Sequence, residues 1–186
     1  MEKKKATRNK SISRRRVFPM RALIWVSMLA IFGCMNDGNA PAKTSTATLA
    51  PTTALATRGT VHFTEESGGV RVNGIVYGLP PGVHGFHIHE KGNCDSAGLA
   101  AGGHFNPTGQ SHGLPDSAMH HMGDLGNLTA GSDSIATINT LFPYLALNSA
   151  YTIVGHALIV HAAPDNGGQP TGNAGARISC GVIGDN

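Results

Sequence analysis

Thr60-Val61-His62-Phe63-Thr64 and Val70-Arg71-Val72-Asn73-Gly74-Ile75-Val76-Tyr77 flank Glu65-Glu66-Ser67-Gly68-Gly69, and this stretch decides the fold. β-Branched and aromatic residues alternate with polar ones on either side of a Gly-containing turn, the pattern of a hairpin with one face buried. Working outward, the same strand character recurs at residues 83–89, 135–141, 151–161 and 176–183. Residues 44–56 alternate small and β-branched side chains, and their later half reads as a first, edge-like strand in which Pro51 is tolerated. No window of twelve or more carries a 3.6-residue apolar period. Regular short strands without helices call for a β-sandwich or barrel. Two long polar stretches, 90–121 and 162–175, separate the strands and are rich in Gly, Asn, Pro and Asp. Loops of that length are uncommon unless they are functional or pinned by a metal or a disulfide.

The 186 residues are 40% hydrophobic, enough for one medium domain with a real core. The formal charge of +3 conceals an asymmetry. Residues 1–33 carry nine Lys/Arg against Glu2, whereas residues 34–186 carry five against ten Asp/Glu. The working part is therefore acidic, which argues against nucleic acid as a partner.

Residues 1–33 read as an export signal peptide: a basic stretch to Arg21, then an apolar run over 22–32. Eleven residues rise about 16 Å as a helix, too short for a hydrocarbon core of about 30 Å. Ile31-Phe32-Gly33-Cys34 resembles a lipoprotein signal-peptidase box, and Arg15-Arg16-Val17-Phe18 resembles a twin-arginine export pattern. Cys34 is thus the expected lipidation site. Residues 34–43 form a tether, and the expected location is the periplasm or cell envelope, with membrane contact only through the lipid anchor. If Cys34 is acylated, Cys94 and Cys180 remain, and an oxidising compartment would let them pair.

Ten histidines crowd this chain, most of them between His84 and His161. His87-Ile88-His89 lies on a predicted strand, where residues i and i+2 project to one face. His161 ends another strand, and His104, His112, His121 and Asp124 populate the long loop. A mixed imidazole and carboxylate set suits zinc, and an all-imidazole set with an open face suits copper.

Gly85-Phe86-His87-Ile88-His89-Glu90, Gly103-His104-Phe105-Asn106-Pro107 and His121-Met122-Gly123-Asp124-Leu125-Gly126-Asn127 resemble the signature of the copper/zinc superoxide dismutases. So does the run from Thr171 through Arg177 and Cys180 to Gly184. The resemblance covers residues 44–186 and points to the bacterial exported type. It implies an all-β fold, an eight-stranded flattened Greek-key barrel of sandwich type with two long functional loops. It also implies an enzyme that disproportionates superoxide to oxygen and hydrogen peroxide by alternating Cu(II) and Cu(I) at a histidine-bridged copper–zinc site. Carried over by position, copper falls to His87, His89, His104 and His161, and zinc to His104, His112, His121 and Asp124, one ion of each per chain. His104 then serves both metals. Asp165 matches the carboxylate that joins His87 to His112, Cys94 and Cys180 match the family disulfide, and Arg177 matches the arginine that meets the substrate anion. A homodimer is compatible with the resemblance, although the chain ends at Asn186, so the animal-type dimer contact is not carried over.

The remaining histidines have plainer expectations. His84 braces the loop by hydrogen bonding, His62 and His156 lie in strands as surface or barrel-face residues, and His120 competes with His121 for the zinc position, with the spacing favouring His121. Pro170 and Ala163 stand where animal-type relatives carry guiding charges, which leaves Lys91 as the nearest helper for an incoming anion. The rival reading is a non-enzymatic copper or zinc binding or delivery protein of the envelope.

Overall fold

A computed structural model describes residues 41–185. The readings for the signal peptide, for Cys34 and for most of the tether concern positions outside these residues. Eight strands follow one another: β1 (Thr44–Pro51), β2 (Arg58–Glu66), β3 (Gly69–Tyr77), β4 (Gly82–His89), β5 (Asp124–Ala130), β6 (Ile135–Phe142), β7 (Ala157–His161) and β8 (Arg177–Asp185). The only helical element among the described residues is one 3-10 turn, Leu99–Ala101. No helix among them is long and apolar enough to cross a membrane.

All pairings are antiparallel, in the order β5-β4-β7-β8-β1-β2-β3-β6. The two ends of that order, β5 and β6, are joined by a tight turn in which Ser134 N donates to Gly131 O. The sheet thereby curls into a nearly closed barrel with crossover connections. The hairpin forms around Ser67-Gly68, with Glu66 opposite Gly69. Gly68, at φ +98, takes the left-handed backbone such a turn requires. Inward positions alternate along each strand: Val61 and Phe63 on β2 and Val70, Val72 and Val76 on β3 are fully buried. With Leu49, Phe86, Ile88, Leu158, Val160, Ile178 and Ile183 they form one apolar core. Burying each such side chain is worth about 1.5–3 kcal/mol.

Three sequence expectations change. The first strand is the earlier half of 44–56, not the later, and it lies centrally, paired with β2 and β8. Pro51, which lacks an N–H, comes at its last residue, where a ladder can stop without loss. The strand read over 151–161 is only β7, because residues 151–156 form a turn in which His156 N donates to Ile153 O, and Gly155 N then donates across to Ile183 O of β8. Finally, β5 has no counterpart among the strands read from alternation. Its Gly126 and Asn127 are poor strand formers, and pairing with β4 overrides that preference.

Candidate metal centre

Strand β4 explains how a barrel of this kind carries polar chemistry. Phe86 and Ile88 point into the core, so His87 and His89 point outward, yet both are buried beneath the loops. Register then recruits their neighbours. His87 stands opposite Asp124 of β5, His89 bridges to His104, and His161 at the end of β7 stands opposite Arg177 at the start of β8. Irregularities in the ladder at Gly85/His87 and at Val160/His161 turn these side chains toward one place.

The result is two groups that share one ring. His87, His89, His104 and His161 form the first, and His104, His112, His121 and Asp124 the second, with ligand atoms within 4.8 Å of one another in each. Every member is buried. Asp165 lies between them: its carboxylate accepts from His87 Nε2 at 2.8 Å and from His112 Nε2 at 3.0 Å.

The hydrogen bonds identify which ring nitrogens are left with lone pairs. A carbonyl only accepts, so His89 Nδ1 donates to Gly102 O at 3.0 Å and His161 Nδ1 donates to Gly175 O at 3.2 Å. Their Nε2 atoms are therefore bare, and they face each other at 3.3 Å. The donations to Asp165 leave Nδ1 of His87 and of His112 bare as well. His104 Nδ1 meets Asp124 Oδ1 at 2.7 Å, leaving Nε2 toward the first group. His87 Nδ1, His104 Nε2 and His112 Nδ1 are buried without a hydrogen-bond partner; His112 Nδ1 has only a 3.0 Å approach to Asp124 Oδ2. Buried lone pairs converging without donors are costly unless a cation sits among them. Four imidazole nitrogens suit copper, and three with a carboxylate suit zinc, so the residues present fit both ions.

Electrostatics prepare the rings for this. Burial pushes His87 down to about 4 and His161 down to about 3, and it lowers His89 and His121 too. These rings are neutral at physiological pH and ready to ligate. Burial alone would raise Asp124, but hydrogen bonds from His104 and from the backbone N–H groups of His121 and Gly113 hold it at about 2. Asp165 is likewise kept below the ordinary carboxylate range, its burial outweighed by His87, Gly167 N–H and His112.

Arg177 is anchored beside the first group. Its two terminal nitrogens donate to Gly98 O and Gly102 O, and burial lowers its pKa. Gly102 O thus receives both Arg177 and His89. Cys94 and Cys180 are disulfide-bonded, which ties the loop carrying Gly98 and Gly102 to β8. Lys91 is exposed and lies 3.6 Å from Glu90, so its charge is partly offset.

The other histidines sort themselves by contact. His84 bonds His161 O and Pro80 O, both at 2.8 Å, a bracing role. His156 is not on a strand face as expected: it precedes β7, packs 4.1 Å from Phe105 and donates to His89 O. His120 packs against Tyr144 at a tilt and donates to His121 O, outside both groups. His62 is exposed beside Thr46. Tyr144, whose hydroxyl donates to Asp124 O at 2.8 Å, and the amides of Asn127 and Gln169 were missed by sequence reading. Only Asn127 sits within a recognisable motif.

Comparison with known proteins agrees with this geometry. The family model for copper/zinc superoxide dismutase matches residues 57–183. Among solved structures, that of the clock protein EA4 is similar at 38% identity and a TM-score of 0.71, covering 81% of this chain and 99% of that one. With a matching family model, the barrel and the paired ligand groups together, this chain belongs to the copper/zinc superoxide dismutase family.

Proposed function

We propose that this domain disproportionates superoxide outside the cytoplasm, converting two superoxide anions and two protons to one oxygen and one hydrogen peroxide. The observation that supports it best is the convergence of bare, buried ring nitrogens on two adjacent points that share His104. His87, His89, His104 and His161 would hold copper, which would supply the one-electron oxidation and reduction of successive anions, and His104, His112, His121 and Asp124 would hold zinc as a fixed neighbouring charge.

The chain's own residues do the rest. Arg177, held by two carbonyls, presents its remaining N–H groups to a small anion next to the histidine group. His104 Nε2 is the buried ring nitrogen that can hold a proton at that place and give it up to the product. Asp165 fixes the orientation of His87 and His112 together, so that the ligands need little rearrangement between charge states. The barrel excludes bulk water from the side of the rings that faces the core.

We also propose that residues 1–33 export the chain, that Cys34 is acylated and that residues 34–43 tether the domain in the cell envelope. Elemental analysis of the purified protein combined with a superoxide-decay assay tests the main reading. One copper and one zinc per chain with rapid decay is expected. Metal bound at that stoichiometry without any decay would instead favour a storage or delivery protein.

A further inference from the structure

Gln169 grips His112 from the protein surface. The two residues are 57 positions apart, and Gln169 is itself exposed. Both ends of its carboxamide are nevertheless engaged: His112 N donates to Oε1 at 3.2 Å, and Nε2 donates to His112 O at 2.8 Å. A carboxamide so placed offers the same donor and acceptor pair that a neighbouring strand would offer. The far end of the same arrangement repeats the device. Asn127 Nδ2 donates to Asp165 O at 2.9 Å, and Asp165 N donates to Asn127 Oδ1 at 2.8 Å. Between the two clamped backbones runs the 3.0 Å bond from His112 Nε2 to Asp165 Oδ1. Gly172 leaves room for it, since a Cβ there would collide with the Asp165 carboxylate and with His112 Nε2.

The clamp matters because of where His112 lies. His87, His89 and His161 are held in strands with neighbours on the ladder, whereas His112 lies in no strand. Its backbone could rotate without breaking any ladder, and its bare Nδ1 would then swing away from Asp124 Oδ2, now 3.0 Å distant. We infer that Gln169 is a positioning residue for His112: it ties the loop that carries this ligand to the loop that carries Asp165, aims Nδ1 into the second group and sets how tightly a zinc ion is held there. The inference rests on reading that group as the zinc site. Groups that orient a ligand from outside typically change metal affinity 10–100-fold when removed.

The test uses the full chain with zinc alone as the probe, in competition with a chromophoric chelator. Gln169→Leu removes both hydrogen bonds, and Gln169→Asn keeps the polarity but is one methylene too short to reach. Gln169→Glu keeps the acceptor for His112 N–H and loses the donor. Zinc affinity is expected to fall about tenfold or more for Leu and Asn, and less for Glu. The visible spectrum of cobalt(II) placed in the same group should shift in that order, while copper content holds. Since Gln169 is exposed, at least the polar variants are expected to fold. Unchanged zinc affinity and an unchanged cobalt spectrum in Leu and Asn would overturn the inference. So would an equal loss of copper and zinc, which would indicate general loosening. A parent protein that binds no zinc would overturn it together with the zinc reading. Conversely, a parent that binds zinc, shows the Gln169 effect and leaves superoxide untouched supports the clamp while overturning the dismutase reading.

Discussion

His89 Nε2 and His161 Nε2 face each other at 3.3 Å, and each ring already uses its Nδ1 to donate to a carbonyl. Two lone pairs so opposed repel unless something positive lies between or beside them. That relationship, more than the count of histidines, marks the first group as a place for a cation. The same reasoning applies to the orphaned nitrogens of His87, His104 and His112.

His104 belongs to both groups, so its loss should be felt twice. His104→Ala is expected to weaken zinc, which keeps three donors, and copper, which keeps three rings, and to cut superoxide decay by 100-fold or so, in the range of losing a positioned proton carrier. His120→Ala removes a ring that packs against Tyr144 outside either group, and its metal content should match the parent. Elemental analysis of both variants checks this.

Arg177 and Lys91 should differ in how salt affects them. Arg177→Ile removes the anchored cation beside the histidines, and activity should fall about tenfold or more at every ionic strength with both metals retained. Inhibition by small anions should weaken alongside. Lys91→Gln removes an exposed charge 3.6 Å from Glu90. Its effect should be small and confined to low salt, since solvated charges are screened within about 10 Å at 0.1 M. Initial rates measured across a salt series separate the two.

The disulfide should carry both stability and activity. Cys94 and Cys180 close a separation of 86 residues, and chain entropy puts the stabilisation near 4–5 kcal/mol at most. Cys180→Ser should lower the urea midpoint accordingly. Because Gly98 N bonds Cys94 O and Gly98 O receives Arg177, the loop that anchors the arginine should loosen too. A larger fractional loss of activity than of bound copper is the expected readout.

The metal-free protein should weaken as pH falls below about 6.5, the ordinary histidine value. Burial holds His87 near 4 and His161 near 3 in the folded chain. Between those values and 6.5 the unfolded chain binds protons that the folded chain does not, so acid favours unfolding. His89, lowered by burial, acts with the same sign. Asp124, held at about 2, adds a further loss once pH drops below its ordinary 3.8. Urea midpoints of the metal-free chain should therefore fall from pH 7 to pH 5 and fall again by pH 3.5. A flat profile would show that these rings are not buried without their metals.

Acylation of Cys34 predicts a mature N-terminus at that residue with a lipid mass added. Mass spectrometry of the membrane fraction checks it, and an unmodified N-terminus downstream of Cys34 would reject it.

What the sequence determined by itself was whatever has a short period or a fixed spacing. Alternation located the β2–β3 hairpin, β4, β6 and β8, because side chains on a half-buried strand must alternate faces. The HxH pair declared its own geometry for the same reason: with Phe86 and Ile88 committed to the core, His87 and His89 had to share the opposite face. The tertiary structure decided whatever depends on partners distant in the chain. Strand β5 exists because β4 supplies its hydrogen bonds, despite Gly126 and Asn127. The first strand became central because β2 and β8 both claim it. His156 was expected to be a surface or barrel-face residue of a strand, and only its contact with His89 O, 67 positions away, reveals a brace. Gln169 shows the limit most clearly. An exposed glutamine in a polar loop carries no local signal, and its grip on His112 arises only when two loops, separated in the chain by β5, β6 and β7, close over the same carboxylate.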